Sequence, residues 1–350
     1  MGDVDGALLV VCLDADAPPS WNHRSQEVLH ASAKTVGNRW FDKHQVIACG
    51  AGSVSLLFEH SFGDGAAWNR WLEAATADMK GEISLPRLPE VSSLGAGSGP
   101  KALPFEVPPA LEPALATARR EAEEMTRTCR TAILQYGGYG KQRIKQWKLS
   151  PDGLVQMAMQ YAYARLHGRI APTYESCAML SFFHGRTEVI RSAHAPGAAM
   201  VAALLSSQEA VRPGYTPRSK GDKQAAIRAA VAHQGSVSKL SGQGLGVDRH
   251  FLALSKMAQR EGVAPAMFGD EEFGYSKTWR LSTSNVSTPW NACFNFGPVT
   301  DHCYGIGYLI HEEGLVLNTT TWAASSEADA AAMRTSLQAS LDELAAIFDP

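Results

Sequence analysis

Over the first sixty positions the apolar residues fall in short unbroken runs bounded by polar or glycine-containing turns, as buried strands do. LLVVCL (8–13) is one such run. QVIA (45–48) and VSLLF (54–58) flank CGAGS (49–53) and predict a hairpin. From residue 66 the period changes: AAWNRWLEAATADM reads as a helix with Ala67, Trp71, Ala74 and Ala75 near one stripe. From Leu111, the residues Leu115, Ala118, Ala122, Met125, Cys129 and Ile133 recur at three- and four-residue steps. They predict an amphipathic helix of about five turns. The next helix is punctuated at both ends, with Ser150 as N-cap, Pro151 at the first helical position and Gly168 as the stop. Leu154, Met157, Tyr161 and Leu166 form its apolar face. Strands return in WRLSTSNV (279–286), YGIGYLIH (304–311) and LVLNTTTW (315–322), and a last helix carries Met333, Leu337, Leu341 and Leu344. This succession predicts an α/β or α+β fold in two lobes.

Two stretches interrupt the pattern. Residues 82–109 hold six prolines and the run SSLGAGSG, which predicts a surface linker between the lobes. VRPGYTPRSKGDK (211–223) reads as an exposed loop. The chain has 350 residues, 45% apolar and 19% charged, enough to bury a sizeable core in a soluble globular protein. A net charge of −3 predicts no broad affinity for nucleic acid, so any anion site has to be a local basic cluster. No apolar stretch approaches the ~18 residues of a spanning helix. LLVVCL is too short, with acidic neighbours, to be an anchor or a signal peptide. Cys12, Cys49, Cys129, Cys177, Cys293 and Cys303 form no CxxC pair and predict free buried thiols in a reducing compartment. His184, His194, His250 and His302 lie on distant segments without helical pair spacing, and no metal site is expected.

Four segments could carry chemistry. In LLFEHSFGDGAAW (56–68), His60 precedes Asp64 by four residues. A carboxylate at that spacing can fix the tautomer of a general base, and an ordinary structural histidine at a strand end fits equally. In GYGKQRIKQWKLSPDG (138–153), Lys141 and Lys145 stand one helical turn apart, with Arg143 and Lys148 adding to the field. Such a cluster before a helix N-terminus suits a phosphate, or is a solvated basic face. It is not a Walker A loop, since Gln135 and Gln142 occupy the positions that need Gly and Ser or Thr. TYESCAMLSFFHGRTEVIRS (173–192), rich in hydroxyls, aromatics and arginines, reads as a buried polar network. In LSTSNV, Ser282 and Ser284 share one face of a strand, where they can donate to an oxyanion or simply pack. SGQGLG (241–246) lacks the spacing of a dinucleotide fingerprint.

Taken in order, NRWFDKH, EHSFGDG, GKxxxKxxxxSPDG, TYES…GRTEVIRS, VDRHFLAL, LSTSNV and FGPVTDHCYGIGY resemble the choline/carnitine acyltransferase family, from about residue 7 to residue 345. The resemblance implies a two-lobed CoA-dependent acyltransferase of α/β (α+β) class. His60 then falls on the catalytic histidine, Asp64 on its paired carboxylate, and Ser284 on the hydroxyl that meets the tetrahedral oxyanion. The implied chemistry is direct transfer between CoA and the carnitine hydroxyl, without an acyl-enzyme. Lys141 and Lys145 match the pair that takes the CoA 3′-phosphate, and Asp152 matches an acid that also contacts CoA. Tyr174, Ser176 and Thr187 match positions around the carnitine carboxylate, with Ser282 in the same substrate region. Arg249 and Thr187 accompany carnitine rather than choline in the family, and Phe296 lines the trimethylammonium site.

Phe294 stands where longer-chain members carry glycine, which implies a closed acyl channel and a short, acetyl-like substrate. Asn285 departs from the Gln that many members have after the STS motif. Full members are roughly twice as long, so the resemblance implies a complete second lobe (96–350) and only the tail of the first (1–95, carrying His60). The absent part would come in cis or from a partner chain. Acyl-CoA and carnitine are the expected co-substrates, with no permanently bound cofactor, no metal and no nucleic acid. Medium-chain or choline transfer, or a CoA-binding fragment without activity, are the alternatives. The resemblance points to an intracellular soluble protein of mitochondrion or peroxisome.

Overall fold

A computed structural model describes residues 2–16, 18–50, 52–61, 63–81, 101–205 and 218–349. A short helix α1 (Gly2–Asp5) leads into β1 (Leu9–Asp14), followed by α2 (Trp21–His30), β2 (His44–Cys49), β3 (Val54–Leu57) and α3 (Gly65–Met79). Strand β1 pairs parallel to β2, and β2 antiparallel to β3, in the expected hairpin. The NRWFDKH segment is structural here. Arg39 forms an ion pair with Asp14 at 2.7 Å, and Gln45 exchanges hydrogen bonds with both backbone groups of Trp40. Strand β1 lies at the sheet edge, and Leu8, Val11 and Leu13 are 89%, 59% and 75% exposed.

The second part runs α4 (Glu112–Met125), β4 (Cys129–Tyr136), α5 (Lys141–Gln146), α6 (Pro151–His167), β5 (Thr173–Ala178), β6 (Thr187–Ile190), α7 (Ala195–Leu205) and α8 (Lys220–Gly242). It continues with α9 (Asp248–Arg260), α10 (Ala266–Gly269), α11 (Glu271–Ser276), β7 (Leu281–Asn285), β8 (Tyr304–Ile310), β9 (Leu315–Trp322) and α12 (Ala330–Phe348). Its six strands are ordered β4-β9-β8-β7-β5-β6, with β5, β7 and β8 mutually parallel. In β8 the alternation sends Tyr304, Ile306 and Tyr308 to one face, where they pack on α6 and α12 with Leu154, Met157, Leu337 and Leu341. Helix α6 begins at Ser150, which accepts from the Gly153 N–H, and ends at Gly168 with φ 72°, as its punctuation predicts. Its whole stretch from Gly153 to Ala164 is buried, so helices cover it on the side away from the sheet.

Several expectations are corrected. The helix foreseen through Ile133 ends at Met125, and Cys129 and Ile133 belong to β4, paired with Trp322 and Asn318 of β9. The α3 stripe is also shifted. Ala67 and Trp71 face solvent, while Trp68 stacks on Phe58 with ring centroids 5.4 Å apart. Leu166 is 40% exposed rather than part of the α6 core. Of the loop expected at 211–223, residues 211–217 lie outside the described residues and 220–223 form the first turn of α8, closed by a Ser219–Asp222 capping box. The Pro-rich stretch falls outside the described residues over 82–100, and with it the lobe boundary expected near residue 95. All six cysteines are free, but the expected burial is met only by Cys12, Cys129 and Cys303. Among the described residues no helix is long and apolar enough to cross a membrane.

Candidate active site

Strand register builds the site face. Tyr174 pairs with Ser282 and Glu175 with Thr283 across β5 and β7. Successive side chains alternate, so Tyr174, Ser176, Ser282 and Ser284 share the face opposite α6, and the Ser176 and Ser284 hydroxyls lie 3.4 Å apart. On β6, Val189 pairs with Ser176, which puts Thr187 on this face too. Arg249, from the first turn of α9, donates to the Thr187 hydroxyl at 3.1 Å and to its carbonyl at 3.2 Å. Five of the expected substrate and catalytic residues thus share one sheet face, with Arg249 of α9 seated on Thr187.

The aromatic pair lies over the next strand. Gly307 pairs with Ser284 and Gly305 with Ser282, and neither glycine has room for a side chain. A Cβ at Gly307 would meet Phe294 O at 2.5 Å and Phe294 Cδ1 at 2.8 Å; one at Gly305 would meet Thr320 Oγ1 at 2.6 Å and Phe296 O at 3.2 Å. Phe294 therefore packs over Gly307, the residue in register with Ser284, and its ring centroid lies 5.9 Å from that of Phe296.

His60 occupies the turn between β3 and α3. Its Nδ1 is 2.9 Å from Gly63 O, and 3.5 Å from Asp64 Oδ1, so the backbone carbonyl is the nearer partner. Asp64 sits at the N-cap position of α3 but makes no cap bond; its carboxylate instead accepts from Arg186 at 2.8 Å. The same guanidinium donates to Ser61 O at 2.8 Å and His60 O at 2.9 Å. Arg186 immediately precedes Thr187, so one residue clasps the His60 turn to the sheet face. Sequence reasoning missed it, and its place between Gly185 and Thr187 was the available signal. Along the same seam, Gly65 lies so close to Val286 that a Cβ there would be 3.2 Å from Val286 Cγ1.

The basic cluster leads into α6, whose Asp152 reaches the end of β7. Lys141 and Lys145 are one turn apart on α5, and Lys141 pairs with Glu312 at 2.8 Å. That contact holds the Glu312 carboxyl below its ordinary value. Arg143, foreseen as part of the local field, is tied instead to Asp349 at 2.7 Å. Asp152, in the first turn of α6, accepts from Tyr308 Oη at 2.7 Å and from Asn285 Nδ2 at 3.0 Å, linking the α6 N-terminus to the residue after Ser284. Chemically, a histidine with one ring nitrogen engaged leaves the other able to take a proton. Hydroxyls on a facing strand can donate to an oxyanion, and a lysine pair can take a phosphate. Among the described residues no group of three or more His, Cys, Asp and Glu side chains could hold a metal ion.

Comparison with known proteins adds the family. The chain is 31% identical to carnitine O-palmitoyltransferase 2, mitochondrial, of Homo sapiens over 91% of this chain and 47% of that protein. It is 30% identical to choline O-acetyltransferase of Mus musculus over 97% of this chain and 53% of that protein. It therefore spans about half the length of the curated relatives it matches. Among solved structures, the first condensation domain of the CDA synthetase superposes with TM-score 0.48 and 12% identity over 98% of this chain and 75% of that one, a likeness that adds nothing to the assignment. The family model for choline/carnitine O-acyltransferase matches residues 1–339, and this chain belongs to that family.

Proposed function

We propose that this chain carries the transfer site of an acyl-CoA:carnitine O-acyltransferase that moves a short acyl group, acetyl foremost. The observation that carries the reading is the single sheet face holding Tyr174, Ser176, Thr187, Ser282 and Ser284, clasped by Arg186 to the His60 turn. His60 removes the proton from the carnitine hydroxyl as that oxygen attacks the thioester carbonyl. Ser284 donates to the oxyanion of the tetrahedral intermediate, worth ~3 kcal/mol for a well-placed donor. Collapse breaks the C–S bond, and the departing thiolate takes the proton back from the imidazolium. Asp64 steadies that cation. Lys141 and Lys145 hold the CoA 3′-phosphate, with Lys141 exchanging Glu312 for it, and Asp152 contacts CoA. Arg249, seated on Thr187, supplies the cation that the carnitine carboxylate needs, and Phe296 lines the trimethylammonium site.

Choline transfer is the second reading, favoured by the likeness to choline O-acetyltransferase of Mus musculus. Choline has no carboxylate for Arg249 to meet, which is the ground for preferring carnitine. Thiol release from acetyl-CoA, measured with L-carnitine and with choline, tests the choice. Carnitine-dependent release is expected. Faster release with choline would overturn carnitine, and CoA binding without turnover would make the chain a binding fragment.

Acyl length rests on Phe294 over Gly307, the residue in register with Ser284. The human relative is named for palmitoyl transfer, so the acetyl reading stands on this side chain alone. Phe294→Gly is expected to raise octanoyl transfer at least about tenfold over wild type. Equal octanoyl rates in the two proteins would refute the gate. The reading also includes polypeptide packed against the exposed β1 edge, from a longer chain or a partner, supported by the exposure of Leu8, Val11 and Leu13. Of the two compartments expected, the mitochondrial name of the human relative favours the mitochondrion.

A further inference from the structure

Behind the site face six side chains, buried except for the half-buried Asp152, close a ring. Glu175 alternates with Tyr174 and Ser176, so it points the other way, beneath α6 and α8, where its residue is 5% exposed. Gln234 of α8 donates one amide hydrogen to Glu175 Oε2 at 3.0 Å and the other to Ser192 Oγ at 3.2 Å. The Ser192 hydroxyl donates to Gln156 Oε1 at 2.8 Å. Gln156 gives one amide hydrogen to Tyr308 Oη and the other to Thr283 Oγ1, both at 3.0 Å. Tyr308 donates onward to Asp152 at 2.7 Å.

Glu175 meets both Tyr308 and Asp152, and the single Tyr308 hydrogen already goes to Asp152, so the contact between the two carboxyl groups has no hydrogen of its own. Only a carboxyl proton can close it. Asp152 already accepts from Tyr308 and Asn285 and lies in the first turn of α6, where negative charge is favoured, so it is the carboxylate. Glu175 is the acid. The ring also reaches the site from both sides of Ser284: Gln156 holds Thr283 and Asp152 holds Asn285.

We propose that Glu175 is a positioning residue whose carboxyl proton closes this ring and so holds Thr283 and Asn285, with the Ser284 hydroxyl between them, in the geometry transfer requires. The role of Ser284 rests on the function proposed above; the proton on Glu175 does not. The titratable groups on the side of Glu175 are Asp152 from α6, Tyr308 from β8, Cys177 on its own strand and Glu188 of β6, which pairs with Cys177, while α8 presents the neutral Gln234 and β7 the neutral Thr283. Burial raises the Glu175 carboxyl well above the ordinary glutamate value, and the Asp152 charge adds to it.

Glu175→Gln keeps a donor toward Asp152 but has no proton to lose, and Glu175→Ala opens the ring. An infrared difference spectrum of wild type against Glu175→Gln at pH 7 should contain a protonated-carboxyl C=O band. No such band overturns the proton assignment. The sign of the pH dependence follows: unfolded Glu175 ionises near its ordinary value while the folded protein keeps the proton. Wild-type stability therefore falls, relative to Glu175→Gln, as pH rises above the ordinary glutamate value. A constant difference in melting temperature above that value overturns it as well.

Positioning is read by amide hydrogen exchange over residues 281–286, expected to speed up at least about tenfold in Glu175→Ala and to stay native-like in Glu175→Gln. Unchanged exchange in Glu175→Ala overturns the positioning role. If wild type transfers acetyl groups, Glu175→Ala lowers kcat with little change in the KM for carnitine, and Glu175→Gln rescues it. Wild-type kcat in Glu175→Ala is a second overturning result. Absence of transfer in wild type would refute the proposed function and leave the band, the stability slope and the exchange rates to decide on Glu175.

Discussion

Replacing His60 with alanine lowers kcat for carnitine-dependent thiol release by about 10²–10⁴-fold, while CoA affinity stays unchanged. The expectation follows from how the imidazole is held. With Nδ1 donating to Gly63 O at 2.9 Å, the neutral ring carries its lone pair on Nε2, ready to take a proton. Asp64 stands 3.5 Å from Nδ1, and its carboxylate is shared with Arg186 at 2.8 Å, so it adds field rather than fixing the tautomer. The His60 side chain is 68% exposed, so water competes as a proton acceptor and the loss falls toward the lower end of the range. Steady-state kinetics of thiol release, with CoA binding measured separately, checks this. Wild-type kcat in the alanine variant would remove His60 as the base.

Ser284→Ala is expected to cost about 10²–10³-fold in kcat, the usual effect of deleting one oxyanion donor. The hydroxyl projects from the end of β7 beside Ser176, with Phe294 shielding the neighbouring Gly307 position from solvent. A donor fixed on a strand, with an aromatic ring over its partner in register, needs little reorganisation when charge develops, which is why one hydroxyl can matter this much. If Ser284 meets the oxyanion as proposed, kcat and kcat/KM should fall together. A rise in KM alone would instead make Ser284 a ground-state contact.

The parts of this fold that local chemistry dictates were legible in advance. Ser150, Pro151 and Gly168 bracket α6, and the two-residue period of LSTSNV puts Ser282 and Ser284 on one side. The expectation of a polar network over residues 173–192 also matches what Glu175 and Ser192 do. Where reading ahead failed, distant partners decided. Cys129 and Ile133 continue the spacing of α4, but the ladder with β9 claims eight consecutive residues from Cys129 to Tyr136 as a strand. In α3 the inward face is chosen by Trp68, whose ring meets Phe58 and His44, and no count of apolar steps could favour it over Trp71. Arg186 is 122 residues from Asp64 and Gln234 is 59 from Glu175, so neither pairing leaves a local signature.

The two glycines of β8 give the site face a floor that cannot be remodelled. Any side chain at 305 or 307 would strike backbone of the 294–297 segment, so those positions are closed to variation. Over Gly307 the side chain in contact is that of Phe294, which can change size without moving that backbone. If Phe294 gates the acyl group as proposed, substrate length in such a chain is set by one adjustable side chain, a single substitution away from a different diet of acyl groups.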